Sequence, residues 1–442
     1  MSILIAGQDY KLARCQWAGG TSPRLVGRAL LLVFLRHLAA GLIIALALLA
    51  ECGSSSAQVW VLSSADTDYS WQAIASSTNA GRLAAAAFDD GLGDGGSICT
   101  STNGGQTWTA VNAPTNYCWQ FITSSASGSN LAAVANQDLN GNPGPIVVSA
   151  NSGKTWKAIS SPTNYWACVA SSTVGSKLVA VDSGSGDGLI YVSANSGSSW
   201  KATSAPGNCW SAATISSNGS KLAAADSGFG DGLIYVSTNS GTTWSATGAP
   251  SNPWTCMASS ADGATLAAAN SSSGDDLIYV STNSGSTWTA SGAPPNQWAA
   301  IALSADGIWM VAADSGEGDG LVYVSTNCGA SWTASGPVES WTSVACSADG
   351  SLFSAIAYPD GIFLGECVPS LSLTHAGGSA VLSWPHWTST AGWTLQVSSN
   401  LATTNWVQVT NTPQVTNGMY KVVLPWSPSG SAFYRIKGGD GE

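Results

Sequence analysis

STNSGTTW, residues 237–244, returns with small changes five more times along the chain: STNGGQTW (101–108), SANSGKTW (149–156), SANSGSSW (193–200), STNSGSTW (281–288) and STNCGASW (325–332). The closing tryptophans, Trp108, Trp156, Trp200, Trp244, Trp288 and Trp332, lie 48, 44, 44, 44 and 44 residues apart. A fixed period of this size means one supersecondary unit copied along the chain. The chemistry inside the stretch is that of a hairpin. Asn can hydrogen-bond the backbone of its own turn, Gly can take a positive φ, and Trp drives the hairpin into a core.

A second series, Trp71, Trp119, Trp166, Trp210, Trp254, Trp298 and Trp341, opens each unit, so there are seven openings for six boxes. Between Trp254 and Trp288 the unit reads WTCMASS, a turn ADG, TLAAAN, a loop SSSGDD, LIYVS, a turn TNSG and STWTA. Four β-type runs separated by Asp-Gly, Gly-rich and Asn-Ser-Gly turns predict a four-stranded antiparallel meander. Such sheets need both faces covered, and radial stacking covers them, as in a β-propeller. The seventh unit (WTSVACS, SLFSAIAY, GIFLG) stops without a box. QVWVLSS (58–64) puts Trp60 eleven residues before Trp71, in the box-tryptophan slot. The expectation is an all-β chain: a seven-bladed β-propeller over 58–367, closed by an N-terminal strand that leaves no open edge, then a small β-sandwich over 368–442.

The repeated stretch resembles the Asp-box, or bacterial neuraminidase (BNR), repeat of sialidase-like propellers, S-x-D-x-G-x-T-W. The resemblance covers 58–367, with one uniform departure. Asn103, Asn151, Asn195, Asn239, Asn283 and Asn327 stand where the family has Asp. Asn keeps the turn bond without the charge, and the family carries its boxes on the face away from the active site. Sialidases grip a carboxylate with three arginines, whereas Arg82 is the sole arginine between Gln58 and Cys367. No histidine lies in that span, so histidine triads and His-ligated zinc or iron are excluded by inventory.

Only 9% of the 442 residues are charged, while Trp reaches 21 copies, the composition of a turn-dense β protein. From Gln58 onward nine Lys and Arg face 23 Asp and Glu, a net charge of −14 that disfavours nucleic acid and anionic membranes. Residues 1–57 differ. Arg24, Arg28 and Arg36 precede the apolar run His37–Ala50 and the small residues Ser55-Ser56-Ala57, a pattern resembling a secretory signal peptide. The alternative is an uncleaved anchor, because the apolar character is long enough to span a bilayer. Either implies an exported protein, whether secreted, periplasmic or at the cell surface.

Candidate site residues come from the loops between second and third strands. DSGSGDG (182–188), DSGFGDG (226–232) and DSGEGDG (314–320) place Asp182, Asp187, Asp226, Asp231, Asp314 and Asp319 on the face that family enzymes use. Three readings compete: Asp and Gly satisfying tight turns, calcium binding by carboxylate and carbonyl oxygens, and paired carboxylates of a glycosidase. Near-identity of the loops argues against the last, since catalysis needs an asymmetric constellation. Trp166, Trp210, Trp254 and Trp298 form either an aromatic rim that stacks on a ligand or packing between blades. Cys118 and Cys209 stand one residue before an opening Trp, Cys168 and Cys256 two after the next; this offset predicts Cys118–Cys168 and Cys209–Cys256 disulfides, with buried thiols as the alternative. In the tail, LSW, WTLQVSSNLATTNW and FYRIK resemble a fibronectin-like module of secreted bacterial proteins, which implies attachment or spacing rather than catalysis. The functional expectation is a non-catalytic binding or scaffold propeller that recognises protein or glycan through one face. The alternative is a glycoside hydrolase or lyase using the loop aspartates.

Overall fold

The unit that opens at Trp254 folds as Trp254–Ser259, Leu266–Asn270, Ile278–Ser281 and Thr289–Ala290, each strand antiparallel to the next. Its last strand is shorter than STWTA suggests, and Trp288 stands just before it. The second strand, LAAAN, is buried at every position. A strand buried on both faces must be covered on both, which explains a run of alanines where alternation would otherwise be expected: small side chains let neighbouring sheets approach. The computed structural model describes residues 2–5, 30–32, 57–65, 67–88, 95–158, 162–184, 186–229, 231–271, 276–316, 320–368, 372–376, 379–385, 394–398, 406–416, 419–425 and 432–437. No helix occurs among the described residues, and none is therefore long and apolar enough to cross a membrane.

Four further four-stranded blades repeat the plan, opening at Trp71, Tyr117, Trp166 and Trp210. The last sheet is larger. It runs Trp298–Leu303, Met310–Asp314, Gly320–Ser325, Thr333–Cys346, Leu352–Tyr358, Gly361–Val368 and finally Ala57–Leu62. Thr333–Cys346 serves two neighbours in turn, pairing with Gly320–Ser325 through its first half and with Leu352–Tyr358 through its second. At the far edge Ser63 N–H donates to Ile362 O at 2.8 Å. Trp60 lies 5.8 Å from Trp341 between ring centroids, and its Nε1 donates to Ser335 Oγ at 2.7 Å. The box tryptophan Trp332 stands 6.5 Å from Trp298 in the same way.

The core sits between sheets. Ala223, Ala225 and Ile234 of one pack on Trp254, Met257 and Leu266 of the next. Each opening tryptophan is almost fully buried, at 0–2% exposure for all seven of the series. At the other end of the inner strands, the turns join in a circuit of backbone bonds. Thr78 N–H donates to Ala126 O, Ala126 to Thr173, Thr173 to Ser217, Ser217 to Ala261, Ala261 to Ala305, Ala305 to Ala348, and Ala348 back to Thr78, all at 2.7–3.0 Å. Each of the seven turns therefore supplies one donor and one acceptor to its neighbours, and the circuit has no loose end.

The boxes repeat one hydrogen-bond pattern. Ser237 Oγ donates to Asn239 Oδ1 at 3.0 Å and accepts from Gly241 N–H at 2.9 Å. Asn239 Oδ1 also accepts from Thr243 N–H at 2.9 Å, while Nδ2 donates to Thr243 Oγ1 at 2.8 Å. The amide thus uses both ends, one as acceptor and one as donor, and no charge is required. Ser240 and Gly241 take φ of 58° and 84°, so the glycine relieves one of two left-handed positions.

The chain divides into two compact units, Gln58–Cys367 and Val368–Glu442 with Met1–Ala57. In the second unit, Ser372–Ala376, Ser379–Pro385, Met419–Pro425 and Gln414–Thr416 form one sheet. A second sheet contains Ala432–Lys437, Thr394–Ser398 and Val407–Gln408 beside the short strands Ser2–Ile5 and Leu30–Leu32. Leu382, Leu395 and Val422 form its buried centre. The basic and apolar runs of residues 1–57, from which a leader is expected, lie almost wholly outside the described residues.

Candidate binding face

The loops between second and third strands, and the links between blades, emerge at the same end of every meander. There the loop aspartates turn inward on their own backbone. Asp182, Asp226 and Asp314 each accept the N–H two residues ahead, from Gly184, Gly228 and Gly316, at 3.1 Å. Asp226 is fully buried and takes Gly232 N–H on its other oxygen at 2.9 Å. Burial raises the Asp182 pKa, with the nearby Asp187 charge adding to it. Asp231 is the reverse case. Partial burial opposes its ionisation, but hydrogen bonds from the Tyr235 hydroxyl, Leu233 N–H and Asn208 outweigh that and hold its pKa down. The same pair pushes Tyr235 up to about 12, through burial first and the Asp231 bond second.

The final glycine of these loops has a steric reason. A Cβ at Gly188 would lie 2.2 Å from Asp182 O and 2.7 Å from Asn208 O, and Gly320 is enclosed in the same way by Asp314 O and Glu339 O. Its carbonyl also anchors the next sheet: Trp210 Nε1 donates to Gly188 O at 3.0 Å, Trp254 Nε1 to Gly232 O at 2.9 Å. The loops are tight closures joined to their neighbours. Among the described residues, no three His, Cys, Asp or Glu side chains converge as metal ligands. Of the expected calcium ring, Asp182, Asp226, Asp231 and Asp314 accept backbone N–H groups of their own loops; Asp187 lies in the exposed turn of the first loop, and Asp319 lies outside the described residues.

The aromatic rim is also corrected. Trp166, Trp210, Trp254 and Trp298 are at most 1% exposed. Each meets a tyrosine of its own sheet, Tyr191, Tyr235, Tyr279 and Tyr323, edge to face at 5.3–5.6 Å. They pack sheets and present no ring to a ligand. The cysteine pairings fail for a related reason. A β-bulge between Trp166 and Cys168, repeated between Trp254 and Cys256, shifts the strand's phase at these positions. Cys168 Sγ instead faces Ala213 O of the next sheet at 3.6 Å. Cys168, Cys209 and Cys256 are free thiols, so neither predicted bridge forms, and burial raises Cys168 and Cys256 to about 12.

Beside polar residues such as Asn140 and Asp360, the loop end exposes large apolar side chains. Phe229, in the DSGFGDG loop, is 89% exposed, and Leu139, Tyr165, Val338 and Tyr358 of other loops and links are 41–56% exposed. The signal lay in the sequence as large apolar residues at loop positions. It was masked there by the far more numerous tryptophans. A second feature is Glu339, on the link before Trp341. Burial and a hydrogen bond with Asp360 raise its carboxyl to about 7.

Known structures share this architecture. Two solved structures align over 70% of the chain. YCF48 from Cyanidioschyzon merolae gives a TM-score of 0.51 at 16% identity, with 98% of that chain covered. YCF48 bound to D1 peptide gives 0.50 at 13% identity, with 94% covered. The fold is a β-propeller. No protein-family model and no curated protein matches the sequence.

Proposed function

We propose that residues 58–367 form a seven-bladed propeller of the Asp-box type, closed by Ala57–Leu62, which binds a protein partner through its loop face without catalysis. The circuit of seven turn bonds and the place of Ala57–Leu62 beside Gly361–Val368 support seven blades and closure. The carrying observation for function is the exposed apolar set headed by Phe229, on a face where Asp182, Asp226 and Asp314 are bonded to their own loops. Solvated apolar side chains on rigid loops are what a protein interface buries. The neighbour bound to D1 peptide is in keeping with a propeller that takes a peptide. Export, directed by the N-terminal basic and apolar runs, and a fibronectin-like tail that holds the propeller at the cell surface belong to the same proposal.

The hydrolase alternative is favoured by one observation, the proton that Glu339 keeps near neutrality beside Asp360. Their shared hydrogen bond sets the two carboxyls closer than the separation of about 5 Å or more that glycosidases use. A peptide array and a polysaccharide panel separate the readings. Binding lost on Phe229→Ser, with no turnover, is the expected result. Turnover abolished by Asp231→Asn or Glu339→Gln would contradict the binding reading.

A further inference from the structure

At the box end of the propeller, opposite the loop face, each sheet can close the groove to its neighbour with one long side chain. Arg82, Lys177 and Lys221 occupy equivalent positions just before the second strand. Each lays its methylenes against the turn glycine of the next sheet, Gly128, Gly219 or Gly263. Each then donates to the hydroxyl of the left-handed box serine of that sheet. Arg82 reaches Ser152, Lys177 reaches Ser240 at 3.2 Å, and Lys221 reaches Ser284 at 3.1 Å. In the grooves filled by Arg82 and Lys221, about 10 Å³ of free space is left.

The groove between the second and third sheets departs from this plan. Asn130 takes the position of the cation. It touches Gly175 as the others touch their glycines, but its amide turns back to Val174 O at 2.8 Å and stops short of the box. Ser196, the serine that a longer side chain would reach, is exposed, whereas Ser152, Ser240 and Ser284 are half-buried. A cleft of about 360 Å³ remains, with Leu131, Val148 and Leu178 on its apolar floor and Asn151, Ser196 and Ser198 on its polar wall. An apolar channel ending at a hydroxyl acceptor has the shape and chemistry of the side chain that fills the sister grooves.

We propose that this cleft binds a lysine or arginine side chain of a protein partner, which inserts where Asn130 leaves the internal cation missing and bonds Ser196. Lys157, at the rim, does not forbid a second cation: Lys201 stands at the equivalent position in the sheet that carries Lys177. Among the remaining grooves, Thr265 precedes a unit whose box has Cys328 in place of the serine, Trp309 precedes a unit without a box, and Ser351 belongs to the unit bonded through Ala348 to the one whose box has Gly104 there, so none reproduces this cleft.

The test uses the full chain and two probes, Nα-acetyl-lysine methylamide and its Nζ-acetylated, uncharged form, followed by ligand-observed NMR. Saturable millimolar binding of the charged probe alone is expected. Asn130→Lys, which copies the sister grooves and so is compatible with the fold, should weaken that binding by about tenfold or more, and Ser196→Ala should weaken it too. Absence of saturable binding, equal binding of the acetylated probe, or unchanged affinity in either variant would overturn the proposal. The outcome is independent of the loop-face reading, whose test is Phe229 and the peptide array.

Discussion

The box turns and the Gly-rich loops are built from the same few residues, Gly, Ser, Asn and Asp, yet they treat polar groups differently. In a box, one neutral amide meets a serine hydroxyl two residues back and both the N–H and the hydroxyl of the Thr or Ser four residues ahead, and this pattern is the same in all six copies. In the loops, Asp182, Asp226 and Asp314 share the bond to the glycine two residues ahead, and Asp226 also takes Gly232 N–H. Identity across copies marks what every blade needs, whereas a departure from the repeat marks what one blade does. Phe229 and Glu339 are departures at the loop end, Asn130 at the box end.

The largest effect should come from the element that both ends depend on. Trp210→Ala removes a fully buried ring together with its bond to Gly188, and denaturant unfolding should show a loss of about 3–5 kcal/mol. A smaller loss would mean that the rings are spacers rather than fasteners. Next, Asn239→Ala leaves the Thr243 N–H and the Ser237 hydroxyl without their acceptor, at a cost of about 1–3 kcal/mol. Asn239→Asp keeps the acceptor and lets the Thr243 hydroxyl donate instead, so its cost should stay within about 1 kcal/mol. Equal losses in the two variants would show that the turn needs the amide donor itself.

The smallest effect depends on pH. Glu339 has its folded pKa raised from 4.5 to about 7, so the native state holds the proton more tightly than the unfolded chain. That contribution is complete below 4.5 and is lost as the pH rises through about 7. Melting temperatures should therefore fall from about pH 5 to 8 in the native protein and less so in Glu339→Gln. Parallel curves would separate Glu339 from Asp360.

The architecture was readable because tryptophans at a constant interval leave few ways to bury themselves, and turn residues between them fix the strand count. Trp60, eleven residues before Trp71, marks in the sequence the strand that the proposed closure uses. The site was much less readable. Periodicity shows that Asp182 and Asp226 recur, not that their oxygens face their own amides. It shows that Cys118 and Cys168 are offset, not that a bulge re-aims the second. Asn130 looks ordinary until Lys177 and Lys221 are seen filling the neighbouring grooves.

The proposed closure of the ring is tested most directly by strand complementation. A chain that starts at Ser63 lacks Trp60 and its bond to Ser335, so it should melt well below the chain that starts at Gln58. Adding a synthetic peptide of residues 57–64 should restore the melting temperature in a saturable way. A truncated chain as stable as the parent, indifferent to the peptide, would contradict a ring held shut by that strand.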